Sequence, residues 1–383
     1  MKNIKRFFVL LLALVMMLSV LCPAAPAAAA DKTLKFKADG TFRIMQISDT
    51  HCTDQVYPEV IAFLEKALDE YKPDLVVFTG DNVTGGWFMS TPLSVKSAID
   101  QLLAPLDERN IPFTAVFGNH DWQTLCPKHL QTKFYQKHPS CLMERGYDYH
   151  HRTANNYLLI RDSTDTGNVF NVWTIDSGSR DIHDEQNPVK EQQVEWYKKT
   201  SARITEENGG VPVPAFVFQH VPVEEVNKLF LPAEAGTEGA VRCSGFGEDV
   251  YYTLNTQMAS GELKGAVGIG QYNSGEYAAW VEMGDVIGAF FGHNHVNDYV
   301  GKTADGITLG ECKSTGFQSR GDGGKRGVRI FDLNEENPAE FDTYMVFYCD
   351  YFDEPYPEQK KEYDNGLRLS MEWTYIKDFL FGK

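Results

Sequence analysis

The sequence of 383 residues has few basic side chains for its length, with 36 Lys and Arg against 53 Asp and Glu and a formal charge of −17. This balance argues against a protein that holds nucleic acid or anionic lipid through a broad basic surface, although it leaves a local basic pocket open. Internal repeats and heptads are also missing. With 43% apolar and 23% charged residues, the composition excludes disordered, collagen-like and coiled-coil chains and is ordinary for globular enzymes.

An apolar run long enough to span a membrane is absent after residue 30. Before that point, three basic residues precede an apolar run over residues 7–21, and a row of alanines ends at Ala30. This order predicts a secretory signal peptide over residues 1–30, and therefore a secreted, extracellular protein with no stable membrane span once the signal is cleaved. An uncleaved membrane anchor is the alternative, and retention at the cell surface stays open.

Cysteine pairs of the Cys-x-x-Cys type, which mark redox and zinc-ribbon sites, are absent. Of the seven cysteines, Cys22 lies in the predicted signal peptide. The six that remain permit disulfides in an exported protein, and Cys126 with Cys141 is the one candidate pair that is close in sequence. Buried free thiols that pack as small apolar side chains are the alternative.

A large part of the chain alternates apolar strand patterns with helical patterns. Strands are predicted at Phe42–Ile47, Leu75–Thr79 and Phe113–Phe117, and helices over Pro58–Tyr71 and from Leu93 to Leu106 connect them. Further strands are predicted at Tyr157–Ile160, Val169–Ile175, Phe216–Phe218, Val286–Phe291, Val328–Leu333 and Thr343–Tyr348, with a helix around Val194–Ile204. The fold class is therefore α/β, and β-α-β-α-β units of this kind bind ligands at the carboxyl ends of their strands.

One main domain is predicted over residues 31–350, followed by an acidic and aromatic C-terminal extension over residues 351–383. Within the domain, residues 122–152 and 233–275 show weak periodicity and many polar residues or glycines. Both stretches are predicted to be long loops over the strand ends.

Five short polar motifs each follow a strand-like run. They are Ser48-Asp49-Thr50-His51, Gly80-Asp81-Asn82, Gly118-Asn119-His120-Asp121, Gln219-His220 and Gly292-His293-Asn294-His295. Taken singly, each motif is as well explained by a turn or a buried histidine. Together they place three carboxylates, an amide oxygen and five imidazoles at one sheet edge, a mixture suited to borderline divalent metals such as Zn, Fe, Mn or Co.

In this order, the motifs resemble the D-x-H, G-D, G-N-H-D, H and G-H-x-H blocks of the calcineurin-like metallophosphoesterase superfamily, from about residue 41 to about residue 333. Ile175–Gly178 (I-D-S-G) and Gln219–Pro222 (Q-H-V-P) resemble the subgroup named after purple acid phosphatases that carries the D-x-H block. The resemblance implies a four-layer α/β/β/α sandwich of two mixed sheets, with a dinuclear metal site at the carboxyl edge of the strands. Gly80–Thr84 contains no tyrosine, which counts against a purple Fe(III) chromophore.

The resemblance also implies the metal ligands. Two divalent or mixed-valence ions, Fe, Zn or Mn, are expected to share Asp81 as a bridge. One ion is then bound by Asp49, His51, Asp81 and His295, and the other by Asp81, Asn119, His220 and His293.

Two residues of the third motif are expected to act beside the metals. The resemblance makes His120 the general acid or transition-state donor near the leaving group, and Asp121 the carboxylate that orients its ring. A purely structural role for His120 is the alternative.

The function implied by the resemblance is that of a secreted phosphoesterase that hydrolyses small phosphate monoesters through a metal-bridging hydroxide. A phosphodiesterase acting on nucleotide, phospholipid or cell-wall polymer linkages is an alternative within enzymes. A catalytically silent secreted binding protein is the alternative from another class. The oligomeric state does not follow from the sequence.

Overall fold

The computed structural model describes residues 33–86, 90–144, 153–179, 187–245, 248–353 and 356. The predicted signal peptide and most of the predicted C-terminal extension lie outside the described residues. Among the helices in the described ranges, none is both long and apolar enough to cross a membrane.

The strands and helices of the described ranges alternate along much of the chain, as the sequence predicts. The strands are β1 (Leu34–Lys35), β2 (Thr41–Ile47), β3 (Leu75–Thr79), β4 (Phe113–Val116), β5 (Asn156–Arg161), β6 (Asn168–Ile175), β7 (Ala215–Gln219), β8 (Phe230–Ala233), β9 (Val241–Gly245), β10 (Glu248–Leu254), β11 (Ala259–Ser260), β12 (Val286–Phe291), β13 (Val300–Lys302), β14 (Thr308–Glu311), β15 (Gly327–Asn334) and β16 (Phe341–Phe347). The helices are α1 (Pro58–Tyr71), α2 (Pro92–Arg109), α3 (Asn119–Trp122), α4 (Lys128–Tyr135), α5 (Glu191–Glu207) and α6 (Glu276–Met283).

The two large sheets are both mixed. The five-stranded sheet has the order β16-β15-β2-β3-β4, and the eight-stranded sheet has the order β1-β5-β6-β7-β12-β14-β13-β11. Strands β2, β3 and β4 are parallel neighbours in the first sheet, and β6, β7, β12 and β14 are parallel neighbours in the second. Each sheet therefore collects the carboxyl ends of its parallel strands at one edge.

The two sheets pack face to face through a core of large apolar side chains. Phe216 of β7 and Phe290 of β12 lie 5.1 Å apart between ring centroids, and Phe290 lies 4.4 Å from Phe331 of β15 in the other sheet. Since side chains alternate along a strand, Met45 and Ile47 of β2 point to the opposite face, into a cluster with α1 and α2. Helices α5 and α6 cover the outer face of the eight-stranded sheet. The predicted four-layer α/β/β/α arrangement is confirmed.

The first connecting helix shows how the local sequence sets its bounds. Helix α1 begins at Pro58, whose missing N–H costs nothing in the first turn. It ends where Lys72 adopts a left-handed conformation with φ of 45° and donates its N–H to the carbonyl of Leu68. Pro73 then prevents continuation of the helix, as the sequence predicts.

Two predictions about loops were wrong. Residues 122–152 contain helix α4, and residues 233–275 contain β9 and β10, which form a small third sheet with β8. These elements are short and partly polar, so their periodicity is weak. The candidate Cys126–Cys141 disulfide is not formed, and both thiols are buried among apolar side chains, which agrees with the alternative interpretation. The side chain of Cys243 lies outside the described residues.

Candidate metal centre

The carboxyl ends of five strands from both sheets meet at one place. Each of the five motifs follows its strand directly, so its side chains project from a fixed strand end rather than from a long loop. The motifs follow β2, β3, β4, β7 and β12.

The structure brings the predicted metal ligands into two groups that share one carboxylate. In each group, one ligand atom per residue lies within 4.8 Å of those of the other members. One group is Asp49, His51, Asp81 and His295, and the other is Asp81, His220 and His293. The Asp and His side chains are thus arranged for binding metal ions, in the two sets that the sequence predicts.

The ring nitrogens of the histidines face one another in pairs. Nε2 of His51 lies 3.2 Å from Nε2 of His295, and Nε2 of His220 lies 3.2 Å from Nδ1 of His293. Oδ1 of Asn119 lies 3.2 Å from Nε2 of His220, which places the amide oxygen beside the second group as predicted. Lone pairs that converge in this way suit a cation at the shared point better than hydrogen bonds between imidazoles.

The electrostatics of the buried carboxylates also fit a cation. Oδ1 of Asp49 is buried and has no hydrogen-bond partner. Burial alone would raise the pKa of Asp49, but His220 and His295 lower it to about 2. Burial lowers the pKa of His51 to about 3. An ionised Asp and a neutral His are the protonation states that coordinate metals.

The pKa of His220 shows that the buried carboxylates of the centre favour positive charge beside them. Burial alone would lower its pKa, but the carboxylates of Asp81 and Asp49 raise it to about 9. A bound metal ion would supply this positive charge in place of the proton on His220. The donor set therefore fits borderline divalent metals, and their identity is not determined by the geometry.

Four of the ligand residues have a backbone conformation that is rare for residues other than glycine. Asp49, His51, Asp81 and His293 have φ values of 50°, 46°, 49° and 75°. The left-handed region is costly for residues other than glycine, although Asp and His adopt it more often than most, and such strain clusters at functional sites. These residues turn the chain sharply at the strand ends, so their side chains point toward a common centre.

The glycines of the motifs allow the strand ends to pack closely. A Cβ atom placed on Gly118 would come within 3.0 Å of Oδ1 of Asp81. A Cβ atom placed on Gly292 would come within 3.0 Å of both Oγ of Ser48 and Oδ2 of Asp49. Real Cβ atoms essentially never approach so closely. Glycine therefore precedes the ligands because any other residue would push the neighbouring ligand away.

Backbone carbonyls orient two of the imidazoles from behind. Nδ1 of His220 lies 2.9 Å from the carbonyl oxygen of Thr79, and Nδ1 of His295 lies 2.6 Å from that of Arg320. A carbonyl oxygen accepts a hydrogen bond from a protonated Nδ1, so Nε2 of each ring is left with its lone pair toward the centre. The carbonyl of Arg320 was not predicted, because its contact with His295 spans 25 positions.

His120 lies next to the two groups but belongs to neither. Its half-buried ring packs edge-on against the ring of His51, with 4.9 Å between the centroids. Its backbone N–H donates to Oδ1 of Asp81 at 2.7 Å. Its side chain is therefore placed beside the centre and keeps access to the surface.

The carboxylate of Asp121, which the resemblance assigns to orienting the His120 ring, contacts two backbone N–H groups. Oδ1 of Asp121 accepts from the N–H of Val83 at 3.0 Å, and Oδ2 accepts from the N–H of Gly118 at 2.7 Å. Neighbouring residues of one helical turn point in different directions, so the two side chains of α3 do not meet. Asp121 instead caps α3 and holds the turns after β3 and β4 together.

One buried ion pair near the centre was not predicted. Nζ of Lys128 on α4 lies 3.0 Å from Oδ1 of Asp176, which follows β6 in the I-D-S-G motif. Lys128 also lies over the ring of Phe117, at 5.4 Å from the centroid. The pair joins helix α4 to the end of β6. The aspartate in I-D-S-G was the available signal, but its lysine lies in a stretch predicted to be a loop.

Two tryptophans come shortly after ligand motifs, Trp87 after the second and Trp122 after the third. Trp122 has 50% of its surface exposed and follows Asp121 on α3. Trp87 lies outside the described residues.

Comparison with known proteins agrees with this geometry. A family model described as calcineurin-like phosphoesterase matches residues 42–297. The chain belongs to this family. Calcineurin-like phosphoesterases related to it include "Probable inactive purple acid phosphatase 14" of Arabidopsis thaliana, which is 28% identical over 341 residues covering 80% of this chain and 78% of the relative.

Another relative is "Phosphatase DCR2" of Saccharomyces cerevisiae, 24% identical over 329 residues that cover 77% of this chain and 52% of the relative. Among solved structures, "GAP50 the anchor in the inner membrane complex of Plasmodium" aligns with a TM-score of 0.49 and 13% identity. That alignment covers 80% of this chain and 85% of the other.

Proposed function

We propose that this calcineurin-like phosphoesterase hydrolyses phosphate monoesters at a dinuclear metal centre. The observation that carries the proposal is the pair of ligand groups that share Asp81. When bound, two metal ions lower the pKa of a water molecule and neutralise charge on the phosphate oxygens. Fe, Zn and Mn suit the mixture of imidazole, carboxylate and amide donors.

Each ligand side chain has a defined place in this proposal. Asp81 would hold both ions, because its carboxylate belongs to both groups. The remaining ligands of one ion are Asp49, His51 and His295, and those of the other are Asn119, His220 and His293.

His120 is the group we assign to the leaving oxygen. Its ring is half-buried beside His51, so it can reach both the centre and a substrate that enters from solvent. An alkoxide anion is a poor leaving group, and a proton donated by His120 to the leaving oxygen would let it depart as the neutral alcohol. Asp121 acts as a positioning residue, because it fixes the turn that carries Asn119 and His120.

The word "inactive" stands in the name of the Arabidopsis relative and describes that protein. In the chain described here, every ligand position of the five motifs carries a residue that can coordinate a metal. This complete set supports turnover over a silent binding role.

The decisive experiment measures metal and activity on one preparation. We expect about two equivalents of Fe, Zn or Mn per chain after gentle purification, and hydrolysis of para-nitrophenyl phosphate that a chelator abolishes. The bis-nitrophenyl ester is the matched substrate. A strong preference for the bis-ester would show a phosphodiesterase, and absence of both metal and metal-dependent activity would show a binding protein.

We also propose that the protein is exported and works outside the cell. The support is the basic, apolar and alanine-rich order of residues 1–30. Sequencing the N-terminus of protein recovered from the medium should place it directly after Ala30. Recovery of full-length protein in the membrane fraction would instead show an uncleaved anchor.

A further inference from the structure

A glycine-rich segment that the proposed mechanism does not use lies against one of the metal ligands. The segment runs from Gly261 to Gly268, between β11 and α6, and is named here the Gly261–Gly268 loop. A Cβ atom placed on Gly268 would come within 3.0 Å of Nε2 and Cδ2 of His293. The opposite ring nitrogen of His293, Nδ1, faces His220. The loop backbone thus contacts the edge of the imidazole that points away from the centre.

The loop is held in place by side chains that follow His293 in the chain. Oδ1 of Asn297 accepts from the N–H groups of Lys264 and Gly265, both at 2.8 Å, and its Nδ2 donates to the carbonyl of Gly265 at 3.0 Å. Oδ1 of Asp298 accepts from the N–H of Glu262 at 2.6 Å. These bonds fix the backbone of the loop at three positions, Glu262, Lys264 and Gly265.

Asn294 adds a further anchor close to Gly268. Its Nδ2 donates to the carbonyl of Ala266, and Gly265 lies so close to its amide group that a Cβ would not fit there. Asn294 and Asn297 are buried, with exposed fractions of 3% and 0%. Buried amides of this kind must be hydrogen-bonded, and most of their partners here are in the loop.

A buried charge cluster holds the outer half of the loop. Nζ of Lys313, which has no exposed surface, contacts the carboxylate of Glu262 and lies 2.7 Å from Asp322 and 3.4 Å from Asp298. Lys264 of the loop pairs with Asp322 at 2.8 Å. The loop is therefore anchored from Glu262 to Ala266, two residues before Gly268, and these contacts limit how far Gly268 can move away from His293.

We propose that the Gly261–Gly268 loop is a positioning element that sets the orientation of the His293 ring. Its effect is thereby confined to the metal of the Asp81, His220 and His293 group. This inference rests on the proposed dinuclear centre. The ring of His295 is oriented by the carbonyl of Arg320 instead, so the other group does not depend on this contact. Residues behind a ligating histidine typically change metal affinity by about 10–100-fold.

The first test is Gly268→Ala, read out by metal binding rather than activity. Wild type titrated with Zn²⁺, and with Co²⁺ for its visible spectrum, should bind two ions. In Gly268→Ala, one ion should bind with about 10–100-fold lower affinity and the other as in wild type. The matched control is Gly167→Ala, in the turn between β5 and β6, where a Cβ would lie at an ordinary 3.4 Å from Asp162.

The second variant, Asn297→Ala, removes the anchors without adding an atom near His293. It should weaken the same single ion, and thermal unfolding with circular dichroism should show that both variants are folded. Two ions bound as in wild type by both variants would overturn this inference alone. Equal loss of both ions would also overturn it, because the effect would then not pass through His293. Wild type that binds no ion would overturn the proposed function together with this inference.

Discussion

The backbone N–H of His120 donates a hydrogen bond of 2.7 Å to Oδ1 of Asp81, the carboxylate shared by both ligand groups. Because the donor belongs to the backbone, this bond survives any change of the side chain at position 120 other than to proline. A substitution of the His120 side chain can therefore test proton donation without removing the backbone hydrogen bond that supports Asp81, the predicted metal ligand.

Replacement of Asp81 should remove metal and activity together. Asp81→Asn keeps the size of the side chain but loses the negative charge that both ligand groups share. Elemental analysis should show loss of both ions, with monoesterase activity lost in proportion. Asp100→Asn, which changes an exposed carboxylate on α2, is the control and should keep both. Full metal content in Asp81→Asn would contradict the bridging role.

Replacement of His120 should lower turnover and leave the metals bound. His120→Asn should retain about two ions per chain and lower kcat by roughly 10²–10⁴-fold, the usual contribution of a general acid. The loss should be smaller for a nitrophenyl ester than for an alkyl phosphate, because nitrophenolate leaves without a proton. Loss of metal, or an equal loss for both esters, would show that His120 supports the metals or binds phosphate.

Replacement of Asp121 should affect folding and metal binding before catalysis. Asp121→Ala leaves the buried N–H groups of Val83 and Gly118 without their acceptor, at a cost of about 1–3 kcal/mol each. Urea unfolding should show lower stability, and metal content should fall because the turn that carries Asn119 loosens. A variant with normal stability and metal but low kcat would restore the idea that Asp121 orients the His120 ring.

The Lys128–Asp176 pair should contribute far more to stability than an exposed pair. Lys128→Met leaves the carboxylate of Asp176 buried without its cation, which costs about 3–5 kcal/mol. Lys37→Met is the matched control, because Lys37 is 45% exposed in its pair with Asp74 and such pairs contribute about 0–1 kcal/mol. Urea unfolding of the two variants compares the pairs directly, and equal losses would contradict the prediction.

The contribution of Glu262 to stability should disappear in acid. Burial alone would raise its pKa, but Lys313, Lys325 and Lys264 lower it to about 2. A carboxylate with a lowered pKa in the folded state stabilises the protein above its unfolded pKa and loses this effect as the pH falls through the folded value. Glu262→Gln should therefore be less stable than wild type at pH 7.

The difference in the free energy of unfolding between wild type and Glu262→Gln should narrow as the pH falls from 4.5 to about 2. Urea unfolding at pH 7, 4.5 and 2.5 measures it. A difference that is the same at all three values would mean that Glu262 acts through packing and not through its charge.

The identity and order of the ligands could be predicted from the sequence, because they depend on local patterns. Buried parallel strands have nearly continuous apolar runs, and β3 at Leu75–Thr79 and β12 at Val286–Phe291 have the predicted bounds. Side chains that follow such strands must emerge at one edge of their sheet. For this reason Asp81 and His293 could be assigned to a metal site before any fold was known.

The partners of these residues were decided by tertiary structure alone. The carboxylate of Asp121, which the resemblance assigns to the His120 ring, caps a helix, and the candidate Cys126–Cys141 disulfide is not formed. Gly268 lies beside His293 only because side chains of another turn hold its loop there. Such contacts join positions far apart in the chain and depend on distances of a few ångströms, which no local periodicity encodes.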